Sequence, residues 1–222
     1  MASKRGKFQI LARPVTILGH VVAMAVAALI LAWILHFREG VALKSANKLK
    51  ILNLHVVLMV VGFILFGGEA IMAYKSLPGK KYYRKLVHLV LHITALACGI
   101  FGVCLAFKFH HDTHLSDLLS LHSWFGLITI SLYALQWVFG FFAYFFPGAE
   151  SRRRASIMPW HIYFGIFIFL MAICTAELGL LQRFNTLILG HSQEGLIVNF
   201  TGLLLLLYAA TVVLTVILPP LY

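Results

Sequence analysis

The chain has 222 residues, of which 61% are hydrophobic and 11% charged, and a formal net charge of +11. That balance excludes an ordinary soluble domain and marks an integral membrane protein. The cations cluster at the ends of apolar runs and no basic-aromatic tract accompanies them, so their excess does not indicate nucleic-acid binding.

Six apolar runs follow one another: Pro14–Leu35, Ile51–Tyr74, Leu86–Phe107, Leu121–Phe146, Pro159–Leu181 and Leu196–Leu218. Each is long enough to cross a hydrocarbon core of about 30 Å as a helix. The runs are continuous, without the alternation of lipid-facing barrel strands, and so predict an all-α polytopic membrane protein with six transmembrane helices. They fill nearly the whole length, which predicts one domain over residues 1–222. The basic start precedes an apolar run too long for a signal peptide and without a convincing cleavage site, so helix 1 is expected to be retained. No internal repeat is evident.

Lys4, Arg5, Lys7 and Arg13 precede helix 1; Lys75, Lys80, Lys81, Arg84 and Lys85 join helices 2 and 3; Arg152, Arg153 and Arg154 join helices 4 and 5. Those twelve face six on the other side: Arg38, Lys44, Lys48, Lys50, Lys108 and Arg183. The bias predicts both termini in the cytoplasm, with the basic loops near lipid headgroups. Cys98, Cys104 and Cys174 lie within spans, lack metal-site spacing and read as small buried hydrophobes.

Helices 2 to 5 carry one histidine each near a span end: His55, His88, His122 and His161. A histidine at membrane depth is costly and is kept where a partner or cofactor satisfies it. Successive helices run antiparallel, so His55 and His122 fall near the outer face, and His88 and His161 near the cytoplasmic face. At 1.5 Å per residue the two levels stand roughly 20 Å apart. Each pair can fill both axial positions of a haem iron, leaving no open site, which suits electron transfer rather than oxygen chemistry. His92, one turn from His88, is the alternative ligand, but the depth of His88 matches His161 better. Gly126 and Gly165, each four residues beyond a histidine, predict slots for a flat ring on the ligand's own face. Gln182 and the turn from Asp117 to Ser120 are candidate contacts for haem propionates. His20 has no histidine partner on helix 6 and reads as a local polar contact.

At Ser120-Leu121-His122-Ser123-Trp124, Lys85-Leu86-Val87-His88 with His92, and Trp160-His161, the chain resembles the cytochrome b561 family. The likeness covers helices 2 to 5. It implies a six-helix fold with a haem-binding four-helix core, two non-covalent haem b groups and cytosolic ascorbate as one-electron donor. The absence of a Cys-x-x-Cys-His motif agrees with non-covalent haem. The family's Ala-Leu-Leu-Val-Tyr-Arg type of ending to helix 2 reads Ala70-Ile71-Met72-Ala73-Tyr74-Lys75 here, and Lys is a point charge where Arg is a fork. The likeness further implies a vacuolar or other endomembrane location and is compatible with a homodimer.

As the likeness implies, Lys81, Lys85 and Arg154, with Tyr144, hold the ascorbate anion. Lys81 and Lys85 share a helical face, and Lys85 lies three residues before His88. Across the membrane, Lys108-Phe109-His110-His111-Asp112-Thr113-His114 forms an outer loop. Its histidines could ligate a metal, but loop spacing fixes no geometry. The preferred expectation is that His110, beside Phe109, meets monodehydroascorbate or a ferric chelate as acceptor, since histidine can give or take a proton near neutral pH. The competing reading is a histidine-dependent proton-coupled or metal-ion transporter; it predicts midplane carboxylates and broken helices in repeated halves. Carboxylates are scarce, and Gly67-Gly68 is the one such pair within a span. A quinol-oxidising cytochrome would place two histidines about thirteen residues apart on one helix, and no two histidines here are thirteen or fourteen apart.

Overall fold

The structure, a computed structural model, describes residues 12–219, so Lys4, Arg5 and Lys7 lie outside the described residues. Six helices are long and apolar enough to cross a membrane: α1 Ala12–Phe37, α2 Leu49–Ser76, α3 Lys81–Asp112, α4 Leu121–Phe145, α5 Ser151–Thr186 and α6 Gln193–Ile217. Among the described residues there is no strand. Two helices run well past their apolar segments: α3 starts at Lys81 and ends at Asp112, and α5 carries Pro159 inside it. Hydropathy registers the hydrocarbon-facing turns, whereas a helix bonds its own backbone and continues into the headgroup zone. The stretch expected as an outer loop from Lys108 is therefore mostly the end of α3. There Asp112 takes Lys108 at 2.9 Å and Lys48, just before α2, at 3.4 Å.

α2 packs along α3, and α4 along α5, while α1 and α6 pack together and close the bundle beside α2 and α5. Val26, Ile30, Trp33, Leu205, Tyr208 and Val212 are fully buried where α1 and α6 meet the core. Trp33 and Arg38, at the end of α1, both donate to Glu194 in the first turn of α6, the Trp33 contact at 2.7 Å. Asn53 pins the intervening loop by donating to the carbonyls of Arg38 and Gly40, each at 2.8 Å. Ser120 caps α4 and Ser192 caps α6, their hydroxyls accepting from Ser123 N at 3.2 Å and Gly195 N at 3.0 Å. Lys75 donates to the Leu218 carbonyl at 2.7 Å, so the cation ending α2 serves the C-terminus of α6.

His20 is not satisfied locally: its Nδ1 meets Glu69 of α2 at 2.7 Å, and Tyr208 of α6 donates to the nearby Leu65 carbonyl at 2.9 Å. The cysteines are free, but only Cys98 is even half-buried. Cys104 and Cys174 are exposed, because a lipid-facing surface tolerates a thiol as readily as a core does.

Candidate functional site

The histidine on each of the four central helices meets a histidine and a hydrogen-bonding partner from other helices. The His55 and His122 ring centres are 6.3 Å apart, with ring planes at 85°. The His88 and His161 centres are 6.4 Å apart, at 65°. Two imidazole nitrogens about 2 Å from one metal, each ring centre about 1 Å further out, require centres roughly 6 Å apart. Both pairs meet that requirement; a direct hydrogen bond between two imidazoles would bring a nitrogen of each within hydrogen-bond distance, and neither pair makes one.

What each ring does with its Nδ1 fits the same purpose. His55 Nδ1 meets the Gly102 carbonyl at 2.8 Å, His88 Nδ1 the Ala70 carbonyl at 2.8 Å, and His122 Nδ1 the Thr175 carbonyl at 2.9 Å. A carbonyl only accepts, so each of these rings carries its proton on Nδ1 and leaves the Nε2 lone pair free for a metal. The carbonyls already serve their helices, and a second lone pair takes the imidazole. His161 Nδ1 faces the side-chain amide of Gln136 at 3.0 Å instead.

These partners measure the separation of the two levels. Fourteen residues separate His88 from Gly102 on α3, His122 from Gln136 on α4, and His161 from Thr175 on α5. At 1.5 Å per residue each helix gives about 21 Å between levels, matching the sequence expectation. On α2 the interval from His55 to Ala70 is fifteen, and the π-helical stretch Leu58–Leu65 lies inside it. A π-bulge accommodates one inserted residue, which keeps both ends of α2 in phase with their partners. A positional repeat thus exists where no sequence repeat is evident: each helix supplies a histidine to one level and a hydrogen-bonding partner to the other.

Gly179 and Gly140, on the neighbouring helices, seat two of the imidazole rings. A Cβ on Gly179 would stand 2.8 Å from His122 Cε1, and one on Gly140 would stand 3.2 Å from His161 Cε1. At Gly126 the nearest atom is Thr175 Cγ2 at 3.5 Å, and at Gly165 it is Gln136 Nε2 at 3.7 Å, which are ordinary contacts. The tight approach comes from the neighbouring helix rather than the ligand's own, because the ring leans across the helix interface towards the opposite carbonyl.

Around the His88–His161 pair, Tyr74 lies 5.2 Å from His88 and Tyr144 lies 5.0 Å from His161, ring to ring. Lys85 Nζ donates to the Tyr144 carbonyl at 2.7 Å, joining α3 to the end of α4. Tyr144 Oη and Arg84 Nε are buried without a hydrogen-bond partner, which leaves donors free near this level. Lys81 and Arg154 stand seven residues before His88 and His161 respectively, so both lie about 10 Å beyond that level, towards the helix starts. His92 is turned to Tyr133, its Nδ1 2.5 Å from the hydroxyl, and His88 is the one that faces His161.

On the outer side His110 Nδ1 meets Asp117 at 2.9 Å. Phe109, 8% exposed, packs with Ile51 and Leu105 beneath it. Among the described residues no group of three or more His, Cys, Asp or Glu side chains could hold a metal ion. The Ser120 hydroxyl is engaged by Ser123 as the cap of α4, and Gln182 is exposed on α5.

Sequence reasoning missed Gln136, Tyr74, Tyr133 and the seating glycines Gly140 and Gly179. The signal available was the interval: counting fourteen from His122 arrives at Gln136.

Paired imidazoles poised at metal-ligand spacing on two levels of a helical membrane bundle are the construction of a membrane cytochrome. A family model described as eukaryotic cytochrome b561 matches residues 54–186, the segment that contains all four paired histidines. The chain belongs to that family. It is 45% identical over 208 residues to a transmembrane ascorbate ferrireductase of Arabidopsis thaliana, covering 92% of this chain and 87% of the relative. It is 46% identical over 213 residues to a probable ascorbate-specific transmembrane electron transporter of Oryza sativa subsp. japonica, covering 94% and 91%. An Ovis aries transmembrane ascorbate-dependent reductase is 35% identical over 199 residues, covering 87% and 78%.

Proposed function

We propose that the chain is an ascorbate-dependent transmembrane oxidoreductase that passes single electrons from cytosolic ascorbate to monodehydroascorbate or a ferric chelate on the far side. The observation that carries this reading is the ring-centre separation of 6.3 and 6.4 Å in the two histidine pairs. His55 with His122, and His88 with His161, would each hold one haem b. Such a group would supply one-electron chemistry at a potential set by its ligands and their hydrogen bonds. The Gly102, Ala70 and Thr175 carbonyls fix the tautomer and orientation of three ligands.

Lys81, Lys85 and Arg154 would attract the ascorbate monoanion, with Tyr144 beside His161. On the other side His110, held by Asp117, would hydrogen-bond the acceptor, with Phe109 packed beneath. Ser120, two residues before His122, and Gln182, near the end of α5, would supply the propionate contacts. The charge bias supports cytoplasmic termini, and apolar spans that fill nearly the whole length support one working unit over residues 1–222. The names of the plant relatives support ascorbate as donor, and the family likeness supports a vacuolar or other endomembrane address and a homodimer.

Replacing Lys81 and Lys85 together by Ala tests the donor site. The expected outcome is unchanged haem content with ascorbate reduction slowed at least tenfold, and raised salt slowing the parent protein towards the same rate. Unchanged reduction kinetics would remove this assignment.

A further inference from the structure

Three of the four ligand histidines are oriented by backbone carbonyls, which the helices hold fixed. The fourth is not. Gln136 Nε2 donates to the His161 carbonyl at 2.8 Å and lies 3.0 Å from the same residue's Nδ1. The His161 carbonyl can only accept, so the nitrogen end of the amide must face it, and Nδ1 then also meets an N–H rather than an oxygen. An amide can present either atom by a half-turn about its last torsion. There is room for this: Gly165 leaves 3.7 Å between Gln136 Nε2 and the position of a Cβ. A cavity of about 350 Å³ between α4 and α5 is lined by Gln136, His161, Phe139, Phe164 and Leu132.

We infer that Gln136 is a positioning residue that sets the ring orientation and hydrogen-bond state of His161, and so makes the cytoplasmic site tunable independently of the outer one. The inference rests on the proposed role of His161 as a haem ligand. Its basis is the broken repeat. At the positions that answer to one another on the four helices stand the carbonyls of Ala70, Gly102 and Thr175 and, alone of its kind, the side chain of Gln136. Donation from Nδ1 to a carbonyl raises the basicity of the metal-binding nitrogen and favours the oxidised metal. At His161 the group facing Nδ1 is a side chain, which offers an acceptor only when its amide oxygen is turned to the ring and which one substitution can alter, whereas no substitution removes a carbonyl.

The test is a redox titration of the full chain, purified with its haem, in parent, Gln136→Glu and Gln136→Leu forms, with haem per chain measured in the same samples. A carboxylate in place of the amide accepts from Nδ1. Gln136→Glu is therefore expected to keep two haems and to lower one midpoint potential by at least 59 mV, a tenfold change for a one-electron couple. The transition that moves should be the one absent from His161→Leu, and one of the two low-spin ferric resonance signals should shift with it. Gln136→Leu should move the same transition or lose that haem alone. Two haems with both potentials at parent values in both variants would overturn the inference, as would both transitions shifting, or both haems being lost, together. A parent protein with fewer than two haems per chain would instead overturn the ligand reading beneath it.

Discussion

Gly179→Ala adds one carbon and two hydrogens to the protein, yet the geometry gives it a specific consequence. The new Cβ would stand 2.8 Å from His122 Cε1 and 3.0 Å from its Nδ1, inside van der Waals contact. The ring has little freedom to retreat, since its Nδ1 is bonded to the Thr175 carbonyl at 2.9 Å and its centre stands 6.3 Å from that of His55. Forcing a methyl into such a contact costs about 1–3 kcal/mol. If that cost falls on the His55–His122 clamp, affinity there drops roughly five- to hundredfold. The predicted result is a protein that retains the haem of the cytoplasmic pair and loses, or holds weakly, that of the outer pair. Haem per chain should fall from two towards one as the protein is diluted. Gly126→Ala is the matched control, because its Cβ would meet Thr175 Cγ2 at 3.5 Å and should be tolerated. Two firmly held haems in Gly179→Ala, or equal loss in both variants, would refute the claim that Gly179 seats the ligand.

Glu194→Ala, which strips Trp33 and Arg38 of their shared acceptor, should destabilise the protein by about 3 kcal/mol and lower its Tm with both haems still bound, because the clamp ties α1 to α6 outside the four-helix core. Ser120→Ala should cost about 1 kcal/mol and Ser120→Asp should restore it, as expected of an N-cap; a change in outer haem potential without loss of stability would assign Ser120 to the haem instead.

Much of this architecture is legible in the sequence because membrane physics leaves few choices. An apolar run that must satisfy its own backbone in lipid has to be a helix, and the alternation of direction then sorts His55 and His122 from His88 and His161 by depth. The helix ends were less legible, since charged turns such as Lys81–Lys85 and Lys108–Asp112 lie beyond the hydrocarbon that hydropathy detects. The partners of the ligands were mostly invisible: every residue has a carbonyl, and nothing in the side chains of Ala70, Gly102 or Thr175 marks theirs as the ones turned to imidazole. The π-helical stretch in α2 is similarly silent, appearing only as an interval of fifteen where the other helices have fourteen. The glycines that seat the imidazoles were not legible either. Gly126 and Gly165 share a helix face with their ligands, but contact is made across the interface, where Gly140 and Gly179 stand.

The central claim is that the two histidine pairs each hold a haem that ascorbate can reduce. The visible spectrum of the purified protein, before and after ascorbate, with haem measured per chain, tests it most directly. The account predicts two b-type haems per chain and reduced bands on adding ascorbate; a folded protein that binds no haem, or haem that ascorbate leaves oxidised, would contradict it.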